Sequence, residues 1–71
     1  MHSVYILQST KRERFYIGYT TDVSKRLVQH NKGYTVSTKP YRPWVLVYTE
    51  LFENKKEATK REWYLKHPKG F

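Results

Sequence analysis

Seventy-one residues without a cysteine, 38% of them hydrophobic and seven of them tyrosine, allow one small domain with an aromatic, polar-tipped core. They exclude a disulfide scaffold, a thiolate metal site and any pairing of a cofactor domain with a substrate domain. Fourteen Lys and Arg against six Asp and Glu give a net charge of +8, and the pI near 9.9 points to a polyanionic partner, nucleic acid ahead of an anionic membrane.

Solubility is the plainer reading of the same charge, since small domains carry up to about 8. No apolar run approaches the roughly 20 residues that span a bilayer. Met1 to Leu7 lacks the basic and apolar regions of a signal peptide, so a cytoplasmic protein is expected.

Ser3-Val4-Tyr5-Ile6-Leu7 and Phe15-Tyr16-Ile17-Gly18-Tyr19 read as two strands of a hairpin, with Gln8 to Glu13 as its polar loop. Symmetric closure places Tyr5 opposite Tyr16, both phenols on one face. Thr21 or Asp22 caps a helix from Val23 to Lys32, and Gly33 ends it. At about 100° per residue, Arg26 and His30 share the face that Val23 and Leu27 mark as inward. Taken singly, Arg26 snorkels, His30 complements the helix C-terminus, and Asn31 is a C-cap.

Tyr34 to Pro43 is a loop stiffened by Pro40 and Pro43. Trp44 to Tyr48 is apolar on both faces and is expected to be a strand covered on both sides, continuing toward Phe52. A last helix opens at Asn54, with Glu57 as its capping-box partner, and stops before Pro68. Ala58 and Leu65 mark its inward stripe. Glu62 falls about 40° from Ala58, so its partly desolvated carboxylate needs a cation: Arg26, a lysine or a metal. Trp44, Trp63, Tyr48 and Phe52 read as core rather than as base-stacking platforms.

Tyr5, Tyr16, Arg26, His30 and Glu62 therefore lean inward together on a domain with little core to spare. They offer a hard-metal ligand, a fixed cation and three groups able to steer protons. Phosphodiester hydrolysis needs such a set: charge neutralisation at phosphate, an oriented water and a stabilised leaving oxygen. No phosphate-cradling Walker loop, zinc-spaced histidine pair or Ser-His-Asp arrangement competes with it.

The pattern resembles the GIY-YIG nuclease domain family, in the small stand-alone form whose domain is shared with UvrC-like excision-repair nucleases. The first family motif falls on Ser3-Val4-Tyr5, with Ser3 where the family has glycine, and the second on Tyr16-Ile17-Gly18. Thr20 and Arg26-Leu27-Val28-Gln29-His30-Asn31 match the capped helix that follows. Arg42-Pro43 matches the step before the third strand. Glu57-Ala58-Thr59-Lys60-Arg61-Glu62 matches the helix bearing the metal ligand. The match runs in order over nearly the whole chain.

That resemblance implies an α+β fold, a small three-stranded antiparallel sheet flanked by helices in the order β-β-α-β-α, as a single domain over residues 1–71. Such domains usually continue into a further helix, whereas this sequence ends nine residues after Glu62, so that helix is expected to be lacking. Glu62 would hold one Mg²⁺ or Mn²⁺. Tyr5 would be the general base, its phenolate stabilised by Arg26 and the metal, with His30 accepting or relaying the proton. Tyr16 would position water or phosphate, and Arg26 would balance charge on the scissile phosphate. Lys11, Arg12, Arg14, Lys39 and Arg42 lie in loops that could touch a nucleic-acid backbone.

The resulting expectation is a metal-dependent endonuclease on DNA rather than RNA, structure-directed in the manner of repair or recombination enzymes. The rivals are a non-catalytic basic nucleic-acid-binding module of the same fold and a protein-interaction domain with an acidic partner.

Overall fold

The computed structural model of the chain describes residues 1–67. Strand β1 spans His2–Ser9, β2 Phe15–Thr20 and β3 Trp44–Phe52; helix α1 spans Val23–Lys32 and α2 Lys55–Lys66, with a 3-10 turn at Lys39–Tyr41. The order is β-β-α-β-α, and the three strands form one antiparallel sheet in the order β2-β1-β3. The expected α+β architecture is the one found.

The helices start and stop where local chemistry dictates. Asp22 accepts the Lys25 N–H at 3.0 Å and opens α1. Gly33, at φ 84°, closes it, its N–H bonding to the His30 carbonyl while Tyr34 N–H bonds to that of Gln29. Asn54 caps α2 by accepting the Glu57 N–H at 2.8 Å. The predicted stop at Pro68 lies outside the described residues.

The hairpin register differs from the expected one. Tyr5 pairs with Gly18, and Tyr16 pairs with Leu7. The cause is in the turn: Ser9 continues the strand, its N–H bonds to Arg14 O, and its hydroxyl accepts the Lys11 and Arg12 N–H groups. A shift of two residues keeps both phenols on one face, whereas a shift of one would have separated them.

Strand β3 is an edge strand, not one covered on both sides. Val45, Leu46, Val47 and Tyr48 are all exposed. A register shift pairs Ile6 with Tyr48 but Leu7 with Leu46, leaving Val47 unopposed as a bulge. The bulge inverts the in–out parity midway, so an uninterrupted apolar run does not mean two buried faces.

Tyr5, Leu7 and Trp44 form the buried core cluster, with Tyr16, Val23, Leu27 and Tyr41 packed against it. Of the four aromatics expected inside, Trp44 is buried and Phe52 half-buried, but Tyr48 and Trp63 are exposed. Trp63 stacks on His67 with ring centroids 4.6 Å apart. The buried stripe of α2 is too narrow to reach it: Ala58 is fully enclosed, while Glu62 and Leu65 are half-buried. Asn31 is not a C-cap. Its side chain donates to Trp44 O at 3.0 Å and accepts from Trp44 N, pinning the start of β3 to the end of α1.

Candidate active site

Helix α1 brings His30 inside because Val23 and Leu27 seat the helix on the core cluster, and position 30 follows Leu27 on the same stripe. The imidazole has no exposed surface, and both nitrogens are engaged. Nδ1 lies 2.9 Å from Thr38 Oγ1, and Nε2 lies 2.9 Å from Tyr5 Oη. Thr38 gives its own proton to Thr35 O at 3.3 Å. Its lone pair is therefore left to accept Nδ1–H, which leaves Nε2 as the acceptor of the Tyr5 hydroxyl. The hydrogen bonds run in one direction, from phenol to imidazole to hydroxyl to carbonyl.

Burial, reinforced by the charge of Arg26, holds the His30 pKa below its ordinary 6.5, so the ring is neutral at pH 7. Burial also pushes Tyr5 up to about 12; Tyr16 and Glu62 add to the rise, and Arg26 opposes it. The expected phenolate stabilised by Arg26 is thus outweighed by desolvation. A buried phenol of this kind gives up its proton only to an acceptor already in place, and Nε2 is that acceptor.

Both shifts have a sign for stability. His30 binds its proton less readily folded than unfolded, so its contribution is complete above pH 6.5 and lost as pH falls through the lowered folded value. Tyr5 binds its proton more tightly folded, so its contribution is complete below pH 10.0 and lost as pH rises toward about 12. The thermal midpoint, followed by circular dichroism, should therefore decline below pH 6.5 in wild type, with that step absent in His30→Gln. An unchanged step in the variant would assign it elsewhere.

The other predicted groups surround this chain of bonds. The Tyr16 ring lies 4.7 Å from the His30 ring and 6.2 Å from that of Tyr5. Arg26, half-buried, donates to Gln29 Oε1 at 3.1 Å. Burial alone would lower its pKa, but interaction with the Tyr5 and Tyr16 hydroxyls raises it and keeps it charged. Glu62 is near enough for its charge to act on Tyr5, and its carboxylate accepts from Lys66 Nζ at 3.0 Å. Tyr5, Tyr16, Arg26, His30 and Glu62 are therefore one neighbourhood, drawn from β1, β2, α1 and α2.

Two residues of this neighbourhood escape a reading of chemistry-bearing side chains. Thr38 fixes the tautomer of His30 from a loop eight positions away, with no sequence pattern to mark it. Gly18 sits under the Tyr5 ring: a Cβ there would lie 2.5 Å from Tyr5 Oη and 2.9 Å from Tyr16 Cε2. Glycine between these tyrosines is a packing requirement, and its place in the second motif is the available signal.

The basic loop residues divide. Lys11, Lys39 and Arg42 line one open hollow of about 520 Å³ that Asn31 also borders. Arg14 lies instead over the Tyr41 ring at 4.5 Å, and Arg12 is exposed in the hairpin turn. Neither His30 and its bonded partners nor Tyr16, Arg26 or Glu62 line this hollow; Asn31 and Lys39 are the sequence neighbours of His30 and Thr38.

A family model described as the GIY-YIG catalytic domain matches residues 1–71. The chain belongs to the GIY-YIG family. Among similar proteins, the UPF0213 protein of Staphylococcus haemolyticus is 47% identical over 66 residues, which cover 92% of this chain and 79% of that one. The UPF0213 protein of Halobacterium salinarum is 40% identical over 67 residues, covering 93% and 86%. The solution NMR structure of a UPF0213 protein from Bacillus halodurans aligns with a TM-score of 0.59 at 38% identity, over 97% of this chain and 73% of that one. Membership of the GIY-YIG family makes a nuclease-type function on nucleic acid the general expectation for this chain.

Proposed function

We propose that the chain is a metal-dependent endonuclease that hydrolyses phosphodiester bonds in DNA, directed by branched or nicked structure as in repair or recombination. The observation that carries this reading is the one-way bond from Tyr5 through His30 to Thr38, set beside the Arg26 charge. In the proposed step Tyr5 Oη takes a proton from the attacking water as its own proton passes to His30 Nε2. No free phenolate has to accumulate, which suits a phenol whose pKa is pushed up to about 12. Arg26 balances the charge growing on the phosphate, and Tyr16 flanks the reacting atoms.

Among the described residues no three His, Asp or Glu side chains gather into a metal cage. A cation would rest on Glu62 alone, completed by waters and phosphate oxygens, a donor set that fits Mg²⁺ or Mn²⁺. When bound it would neutralise phosphate charge and stabilise the leaving oxygen. The hollow of Lys11, Lys39 and Arg42 offers positive charge for the flanking backbone.

The test is incubation of full-length protein with branched, nicked and single-stranded DNA in Mg²⁺ or Mn²⁺. Cleavage is expected to need the metal and to be lost in Glu62→Ala. If nothing is cut, or the variant cuts as well as wild type, the reading fails. Metal-independent binding with a steep salt dependence would then mark a non-catalytic nucleic-acid-binding module.

A further inference from the structure

The Glu62 carboxylate, the atom set that the proposed reaction needs for a divalent cation, already has a cation. Lys66, one turn later on α2, places Nζ 3.0 Å from Glu62 Oε2. The same Nζ lies 6.0 Å from the centroid of the Tyr16 ring, so this ammonium is at the site rather than on a remote helix face. The Glu62 side chain is 22% exposed against 43% for Lys66, which makes the pair a half-buried carboxylate capped by a wetter lysine. Among the described residues Glu62 has no other ion-pair partner.

We propose that Lys66 is a resident counter-cation of Glu62 that competes with the divalent metal for the carboxylate. The proposal rests on the reading of Glu62 as metal ligand. The ammonium takes Glu62 Oε2 and leaves Oε1 for a metal, but two cations on one carboxylate would repel at a separation of a few ångströms. Metal binding is therefore weakened while Lys66 stays on Glu62 and is favoured when Lys66 swings away. Its exposed, four-carbon stem allows that movement, and the released ammonium stays beside the phenols, where a phosphate would be held. The competition keeps the free protein's metal affinity low and leaves the carboxylate neutralised, not stranded, while no metal is bound.

Mn²⁺ binding, read by the electron paramagnetic resonance signal of the free ion, tests this without DNA or turnover. Wild type, Lys66→Met, Lys66→Arg and Glu62→Gln are titrated with Mn²⁺ alone. Lys66→Met is expected to bind about three to ten times more tightly than wild type, a moderate gain for removing a partly exposed like charge. Lys66→Arg should stay near wild type, and Glu62→Gln should lose the site. Equal, Glu62-dependent affinity in wild type and Lys66→Met would overturn the competition and leave the metal reading standing. Binding no stronger than in Glu62→Gln throughout would overturn both. Circular dichroism melts confirm that the variants are folded.

Discussion

Tyr5→Phe is expected to slow single-turnover DNA cleavage by at least about a hundredfold, within the 10²–10⁴ that positioned acid–base groups contribute. The substitution removes one oxygen from a ring that is otherwise 1% exposed and packed against Leu7 and Trp44. Core volume is nearly unchanged, so the protein should still fold. The cost falls on His30: Nε2 loses its 2.9 Å donor and becomes an unpaired buried acceptor, a penalty of about 1–3 kcal/mol. DNA affinity should largely hold, because Arg26 loses one hydroxyl partner but keeps its charge and its bond to Gln29, and the basic hollow is untouched. Rate and stability together make the measurement decisive. A Tyr5→Phe protein that is destabilised yet cuts within about tenfold of wild type would remove Tyr5 from the proton path and leave it a structural residue.

Gly18→Ala is expected to be as damaging, through a methyl group that carries no chemistry. Backbone conformation is not the reason, since Gly33 is the one glycine with positive φ among the described residues. The obstruction is steric: the new Cβ would lie 2.5 Å from Tyr5 Oη and 2.6 Å from Tyr5 Cζ. Tyr5 cannot step aside cheaply, because its backbone is central in the sheet and its hydroxyl is tied to His30. Overpacking of this kind typically costs about 1–3 kcal/mol. In a domain of this size that lowers the melting midpoint by roughly 5–20 °C. Displacing a reacting atom by about 1 Å costs on the order of a hundredfold in rate. A Gly18→Ala variant with wild-type melting and wild-type cleavage would show that the ring has room that the structure denies it.

What was readable in the sequence is what local rules control. Helix α1 was legible end to end because Asp22 and Gly33 bracket a short amphipathic run. The gathering of Tyr5, Tyr16, Arg26, His30 and Glu62 was legible because Val23 and Leu27 mark the inward face of α1, Glu62 falls beside the stripe of Ala58 and Leu65, and hairpin pairing puts both phenols on one face. The hairpin register was not, because it turns on Ser9, whose hydroxyl organises the loop from inside the strand. The exposure of β3 was hidden by the bulge at Val47, which no composition rule announces. Trp63 misled because a large apolar side chain predicts burial only where an element has a face to bury it on. Thr38 was out of reach altogether: its bond to His30 exists only once the loop after α1 has folded back.

The central position of β1 has an evolutionary corollary. Insertions at the tip of the hairpin, between Arg12 and Glu13, would spare the Ser9 bonds to Lys11 and Arg12 and lengthen a solvent loop for a fraction of a kcal/mol. One residue added anywhere between Ser3 and Leu7 would send every later side chain of that strand to the opposite surface. Length polymorphism among relatives should therefore collect in the turn and be purged from the strand.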